Sequence, residues 1–158
     1  MLDEALQDIN KAIVLDSNIF TAFFNRSAIH FRKRQFREAA ADAEKAIELQ
    51  PTSSKAYLRK ISALYTMGEF VDAIDTCNRG LSKCPANDQL GRDDIKHALY
   101  MAIGHEKTLN KINSILQEAA ATKISGDMTM YGIYIVMAEK QYKQLVAVSV
   151  SHLSDWWR

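Results

Sequence analysis

Phe23, Phe36, Ala39, Asp42, Ala46, Ile47 and Pro51 recur 34 positions further on as Tyr57, Phe70, Ala73, Thr76, Gly80, Leu81 and Pro85. Counting backward by the same interval, Ala5, Asp8, Ala12, Ile13 and Ser17 precede Ala39, Asp42, Ala46, Ile47 and Pro51. Self-similarity at this period constrains the chain more than its composition does. It marks a stack of short units, none of which can bury its apolar face alone. The recurring residue types fit such a stack. Small residues return where two helices must approach closely, and aromatics return where a neighbouring unit must be filled. Proline closes a unit because it cannot continue a helix.

Residues 20–53 and 54–87 are complete units, with helices expected at 20–33, 36–49, 54–67 and 70–83. Gly68 falls in one turn inside a unit, and "KRQ" (33–35) fills the other. Residues 3–19 match only the second half of a unit, with a helix expected over 2–15. The sequence therefore opens in mid-repeat, the pattern of a fragment, splice form or incomplete gene model. Leu2, Leu6, Ile9 and Ile13 form an apolar stripe that lacks its partner helix. Residues 88–102 depart from the repeat, with Lys96 and His97 where small or aromatic residues are expected, and read as a helix capping the stack. Residues 1–102 thus make one domain and 103–158 an extension of unknown function. A helix is expected near 106–121, ended by "SGD". Beyond it, "MTMYGIYIVMA" and "LVAVSVSHL" permit a hairpin or a helix, with helix favoured over 128–148.

A net charge of +1 over 158 residues gives no global pull toward nucleic acid or membrane, so electrostatic recognition must be local. The N-terminus "MLDEALQDIN" is acidic and amphipathic, unlike a secretory signal, and "MTMYGIYIVMA" is too short to span a bilayer. Cys77 and Cys84 form no CxxC pair and read as reduced structural thiols of a cytoplasmic protein. His30, His97, His105 and His152 share no metal-ligand spacing, and "GHEK" lacks the second histidine of a zinc helix. With no phosphate loop, nucleophile elbow or carboxylate pair, no catalytic residue, metal or cofactor is expected, and the chain does not read as an enzyme. "RKRQFR" (32–37) straddles a turn and reads as solvated. "NRS" (25–27) lies in mid-helix, away from the loops that are glycosylated, and "DWWR" (155–158) packs on the domain or anchors a partner.

A helix-turn-helix unit of 34 residues with these positions resembles the tetratricopeptide repeat (TPR). The resemblance implies an all-α solenoid of about two and a half repeats, whose first helices line a concave surface that binds extended partners. "SKAYLRK" (54–60) puts Lys55 and Arg59 four apart on one face of such a first helix, away from Tyr57. Like charges at that spacing repel by roughly 0.2–0.5 kcal/mol in an isolated helix. Asn25 is the repeat equivalent of Arg59 on the preceding first helix, so amide and cationic donors gather around one place. A carboxylate suits them, since charge-assisted hydrogen bonds contribute about 1.5–3 kcal/mol each and outweigh the repulsion.

"FFNRSAIHF" followed by "KAYLRK" is similar to the carboxylate-clamp TPR domains of the stress-inducible Hsp-organising (Hop-like) co-chaperones, and "NDQL" (87–90) adds to the likeness. The resemblance covers about residues 3–102. It implies that Asn25, Lys55 and Arg59 hold the terminal carboxylate and Asp side chain of a Glu-Glu-Val-Asp tail. Such tails belong to cytosolic heat-shock chaperones of the seventy- and ninety-kilodalton classes. Arg32 would touch the peptide upstream, over an apolar floor of Phe24, Ala28 and Leu58. Two departures stand out. The remaining Lys and Asn of the family's clamp belong to the helix absent here, a loss of about tenfold or more in affinity. Nothing after residue 105 resembles the later parts of organising proteins. The implied function is a co-chaperone adaptor that docks peptides without turnover. The alternatives are a generic TPR scaffold that binds an internal segment, or the targeting part of a larger clamp-bearing enzyme. Self-association through the N-terminal helix or the extension stands beside them.

Overall fold

A computed structural model describes residues 2–153, with side chains through Leu145. Met1, the "DWWR" terminus and the His152 side chain lie outside the described residues. The described residues form seven α-helices and no strand: α1 (Leu2–Leu15), α2 (Phe20–Arg32), α3 (Phe36–Leu49), α4 (Ser54–Met67), α5 (Phe70–Lys83), α6 (Gln89–Ser125) and α7 (Met128–Leu153). The five helices expected through residue 83 are present to within a residue. None of the described helices is long and apolar enough to cross a membrane. Two compact units divide at residues 103 and 104.

In the first unit the helices are antiparallel hairpins stacked through small residues. Ala39, Ala43 and Ala46 of α3 and Ala73 of α5 are wholly buried, which lets the partner backbones come close. Ser27 of α2, also buried, donates its hydroxyl to the Ala39 carbonyl at 2.7 Å, satisfying a polar group that close packing cuts off from water. The 34-residue period is visible in the turns. Phe31 meets Phe36 edge-on at 5.0 Å, and their equivalents Tyr65 and Phe70 do the same at 5.2 Å. Each turn needs one left-handed residue. Gly68 supplies it at φ +78°, whereas Arg34 holds φ +61° at the equivalent place, against the steric preference of a residue with a Cβ.

The second repeat closes on the start of α6. Tyr57 and Ile95 are buried against Gly80, where a Cβ would lie 3.0 Å from Tyr57 Cγ and 3.1 Å from Ile95 Cδ1. At Gly91 a Cβ would run into Ser54 Oγ and lie 2.6 Å from Ser54 Cβ and Asp88 Oδ2. Arg92 donates to the Leu81 and Cys84 carbonyls at 2.7 and 2.8 Å, capping acceptors that α5 leaves open at its C-terminal end. Cys77 and Cys84 are both buried, and burial pushes the Cys77 thiol up to about 12.

Two expectations change. The breaks expected after residue 102 and before 106 are absent, because α6 runs continuously from Gln89 to Ser125. Gly104 is the sole weak helix former at that point, and one internal glycine costs only about 1 kcal/mol. The stop comes at Gly126, left-handed at φ +83°, within the "SGD" expected to end the later helix. The α1 stripe is also less bare than expected. Leu6, Ile9 and Ile13 are half-buried, and α1 lies against α2, while the most exposed apolar side chains are Val14 at 86% and Leu15 at 87%.

The second unit comprises the remainder of α6 and α7, so the stretch from 128 is helical rather than a hairpin of strands. Asp127 accepts the Met130 amide at 3.0 Å as an N-cap, and Ile112, Ile115, Ala138 and Leu145 form a small core flanked by Leu109 and Tyr134.

Gly91→Ala tests the close packing. The helix-propensity gain is smaller than the overpacking cost, so a net loss of about 1–2 kcal/mol is expected in thermal or urea unfolding. Gly104→Ala, where a Cβ meets nothing within 4 Å, should raise stability by a few tenths to about 1 kcal/mol.

Candidate peptide-binding face

The side chains singled out in the sequence lie on α2 and α4, which touch each other. Asn25 and Lys55 are exposed, as is Arg32. Among the described residues these three make no hydrogen bond or ion pair. Arg59 is half-buried, with its guanidinium carbon 5.0 Å from the centroid of the Phe24 ring. This cation–π contact links the two helices at this face. Asn25 follows Phe24 on α2, and Lys55 precedes Arg59 by one turn of α4. Ala28 and Leu58 are half-buried.

Electrostatics at this face favour an incoming anion. Burial, and then the charge of Arg32, push the Arg59 pKa down from its ordinary value, although an arginine remains cationic at neutral pH. The attraction of an anion at this place would offset both effects. No described residue supplies a carboxylate to Lys55 or Arg32.

Several other cations of the first unit are engaged between helices, and these pairs were not anticipated from the sequence. Arg26 forks onto Asp42 at 2.7 and 2.6 Å, joining α2 to α3, and reaches Asn10 of α1 at 2.8 Å. His30 Nε2 stands 3.7 Å from the same Asp42, while Nδ1 bonds Gln35 at 2.9 Å. Glu44 accepts Lys60 at 2.6 Å and Arg79 at 2.8 Å, tying α3 to α4 and α5. For the first pair the available signal was Asp42 itself, an acid between alanines on the small-residue face of α3, which implies a buried partner. The described residues contain no group of His, Cys, Asp or Glu suited to a metal ion.

Comparison with known proteins bears on the repeat array. The tetratricopeptide repeat family matches residues 20–53. The chain is 34% identical over 122 residues to "Protein STIP1 homolog" of Dictyostelium discoideum, covering 77% of this chain and 22% of that protein. It is 30% identical over 145 residues to "Hsp70-Hsp90 organizing protein" of Triticum aestivum, covering 90% of this chain and 24% of that protein. The chain therefore spans about a quarter of the length of these relatives. Among solved structures it is similar to the "TPR2B-domain:pHsp70-complex of yeast Sti1". The identity is 27% and the TM-score 0.59, over 65% of this chain and 83% of that one. The chain carries tetratricopeptide repeats similar to those of Hop-like co-chaperones.

The Glu44 pairs make stability depend on pH. Partial burial pulls Glu44 upward, but the hydrogen bonds from Arg79 and Lys60 outweigh it and hold the carboxyl below its usual 4.5. A depressed folded pKa stabilises above the unfolded value and is lost as pH falls through the folded one. The protein should thus exceed a Glu44→Gln variant by about 0.5–1 kcal/mol at pH 7, a solvent-discounted figure. The gap should close below about pH 4, as followed by urea unfolding.

Proposed function

We propose, from a tetratricopeptide-repeat array similar to those of Hsp70–Hsp90 organising proteins, that residues 3–102 are a peptide-docking adaptor for the C-terminal tails of heat-shock chaperones. The observation that carries the reading is the gathering of cations on the α2/α4 face, where Arg32 lowers the Arg59 pKa, set against the inter-helix pairs elsewhere. Arg26, Lys60 and Arg79 are all held by carboxylates of this chain, whereas Lys55 and Arg32 stand exposed without one beside the stacked Arg59. Asn25, Lys55 and Arg59 would grip the terminal carboxylate and the last Asp side chain of a Glu-Glu-Val-Asp tail. Arg32 would meet acidic residues upstream, and the half-buried Ala28 and Leu58 would underlie apolar ones.

Nothing in this mechanism involves turnover. Arg59 presents a planar fork and Lys55 a mobile point charge, so a carboxylate can take two directed bonds and one adaptable one. Asn25 adds a neutral N–H donor to the same carboxylate, while the two cations favour a free acid over an amide. A cytoplasmic setting and tails of the seventy- and ninety-kilodalton chaperone classes accompany the proposal. The domain boundary follows it: 1–102 docks the peptide, and 103–158 is an extension without an assigned role.

The test is fluorescence polarisation with a labelled peptide ending in Glu-Glu-Val-Asp, beside its C-terminally amidated twin. The free acid should bind at least about tenfold more tightly. Lys55→Ala/Arg59→Ala should abolish the difference, each charged bond being worth about 1.5–3 kcal/mol. Equal binding of acid and amide by the folded protein refutes the clamp and leaves a scaffold for internal segments.

A further inference from the structure

Phe24 was expected to lie under the peptide, yet its ring is already engaged by two neighbours. Phe20, one turn earlier on α2, stacks on it with centroids 5.6 Å apart and planes only 14° from parallel. The Arg59 guanidinium carbon, from α4, stands over it at 5.0 Å. This trio joins the two helices at the very face that carries the candidate clamp.

The repeat does not explain these aromatics. Thirty-four positions on, Phe20 becomes Ser54 and Phe24 becomes Leu58, so stacking one unit on the next does not call for a ring at either place. The aromatic position that does repeat is that of Phe23 and Tyr57, both buried. What the Phe20–Phe24 pair adds is a flat, electron-rich face for a cation.

The two faces of the chemistry are separable. A guanidinium is attracted to an aromatic ring through its flat side, whereas its N–H donors lie in its own plane. A carboxylate is gripped by those in-plane donors. Arg59 can therefore rest on Phe24 and hold a peptide terminus together, and the rotamer freedom it would surrender on binding is already restricted. We infer that Phe24 is a positioning residue that presets the Arg59 guanidinium for an acidic peptide terminus, with Phe20 supporting its ring. This role rests on the clamp reading, and it moves Phe24 from a ligand contact to a residue that acts through Arg59.

Phe24→Leu and Phe24→Tyr test it in the whole chain. Leucine is the residue at the equivalent place in the next repeat and keeps apolar bulk without a π face, while tyrosine keeps the face. The first readout needs no peptide. In NMR spectra of the unliganded protein, the Arg59 side-chain protons should be shifted upfield by the ring. Phe24→Leu should remove that shift and Phe24→Tyr should retain it. The second is the ratio of affinities for the free-acid and amidated Glu-Glu-Val-Asp peptides. It should fall about five- to tenfold in Phe24→Leu and recover in Phe24→Tyr. The absence of a ring shift in the unsubstituted protein overturns the stacking role, whatever the variants do. An acid preference that survives Phe24→Leu overturns the positioning role alone. An unsubstituted protein that does not prefer the acid overturns the clamp reading, and the role of Phe24 falls with it.

Discussion

Close approach between helix backbones is the constraint on which the first unit depends. It is set by residues with little or no side chain. Ala39, Ala43, Ala46 and Ala73 are fully buried, and Gly80 and Gly91 admit Tyr57, Ile95 and Ser54 to distances a Cβ would forbid. Interiors packed at crystal-like density transmit such constraints rather than absorbing them. The small residues therefore fix where α2 and α4 stand, and with them the face that carries Asn25, Lys55 and Arg59. A repeat array is stable only as the sum of its units and their interfaces, so losing one interface weakens its neighbours.

Charge is distributed in two ways over that frame. Asp42 and Glu44 of α3 collect Arg26, Lys60 and Arg79 from the flanking helices, and these pairs orient α2 through α5 beyond what non-directional apolar packing does. On the α2/α4 face the pattern is reversed. Arg59 is desolvated on an aromatic ring and repelled by Arg32, with Lys55 one turn away. Holding like charges together costs stability in the unliganded protein, and an anionic partner offsets that cost. The first arrangement serves the fold, and the second is the one the proposed clamp would use.

Much of this was legible in the sequence because a repeat states each constraint more than once. Helix positions through residue 83 followed from aligning Ala39 with Ala73 and Ala46 with Gly80. The left-handed turn at Gly68 announced itself, whereas its counterpart at Arg34 did not, since arginine gives no sign of positive φ. The single helix through Gly104 was missed because one glycine looks like a stop, although a helix continues past it when nothing else breaks the pattern. The Asp42 and Glu44 pairs were hidden because ion pairs between helices depend on rotation about each axis, which spacing along one helix does not reveal. The placement of Arg59 over Phe24 was hidden for the same reason. Phe24 read as a floor for the ligand because its partner lies on another helix, 35 residues away.

The most direct measurement of the central claim is a set of isotope-filtered NOEs between the labelled protein and an unlabelled Glu-Glu-Val-Asp peptide. Contacts from the terminal Asp to the Asn25 side-chain amide, the Lys55 methylenes and the Arg59 side chain, with upstream residues near Ala28 and Arg32, are the predicted result. Contacts from that Asp to α1, to the α3/α5 ion pairs or to α7, with none to α2 and α4, would contradict it.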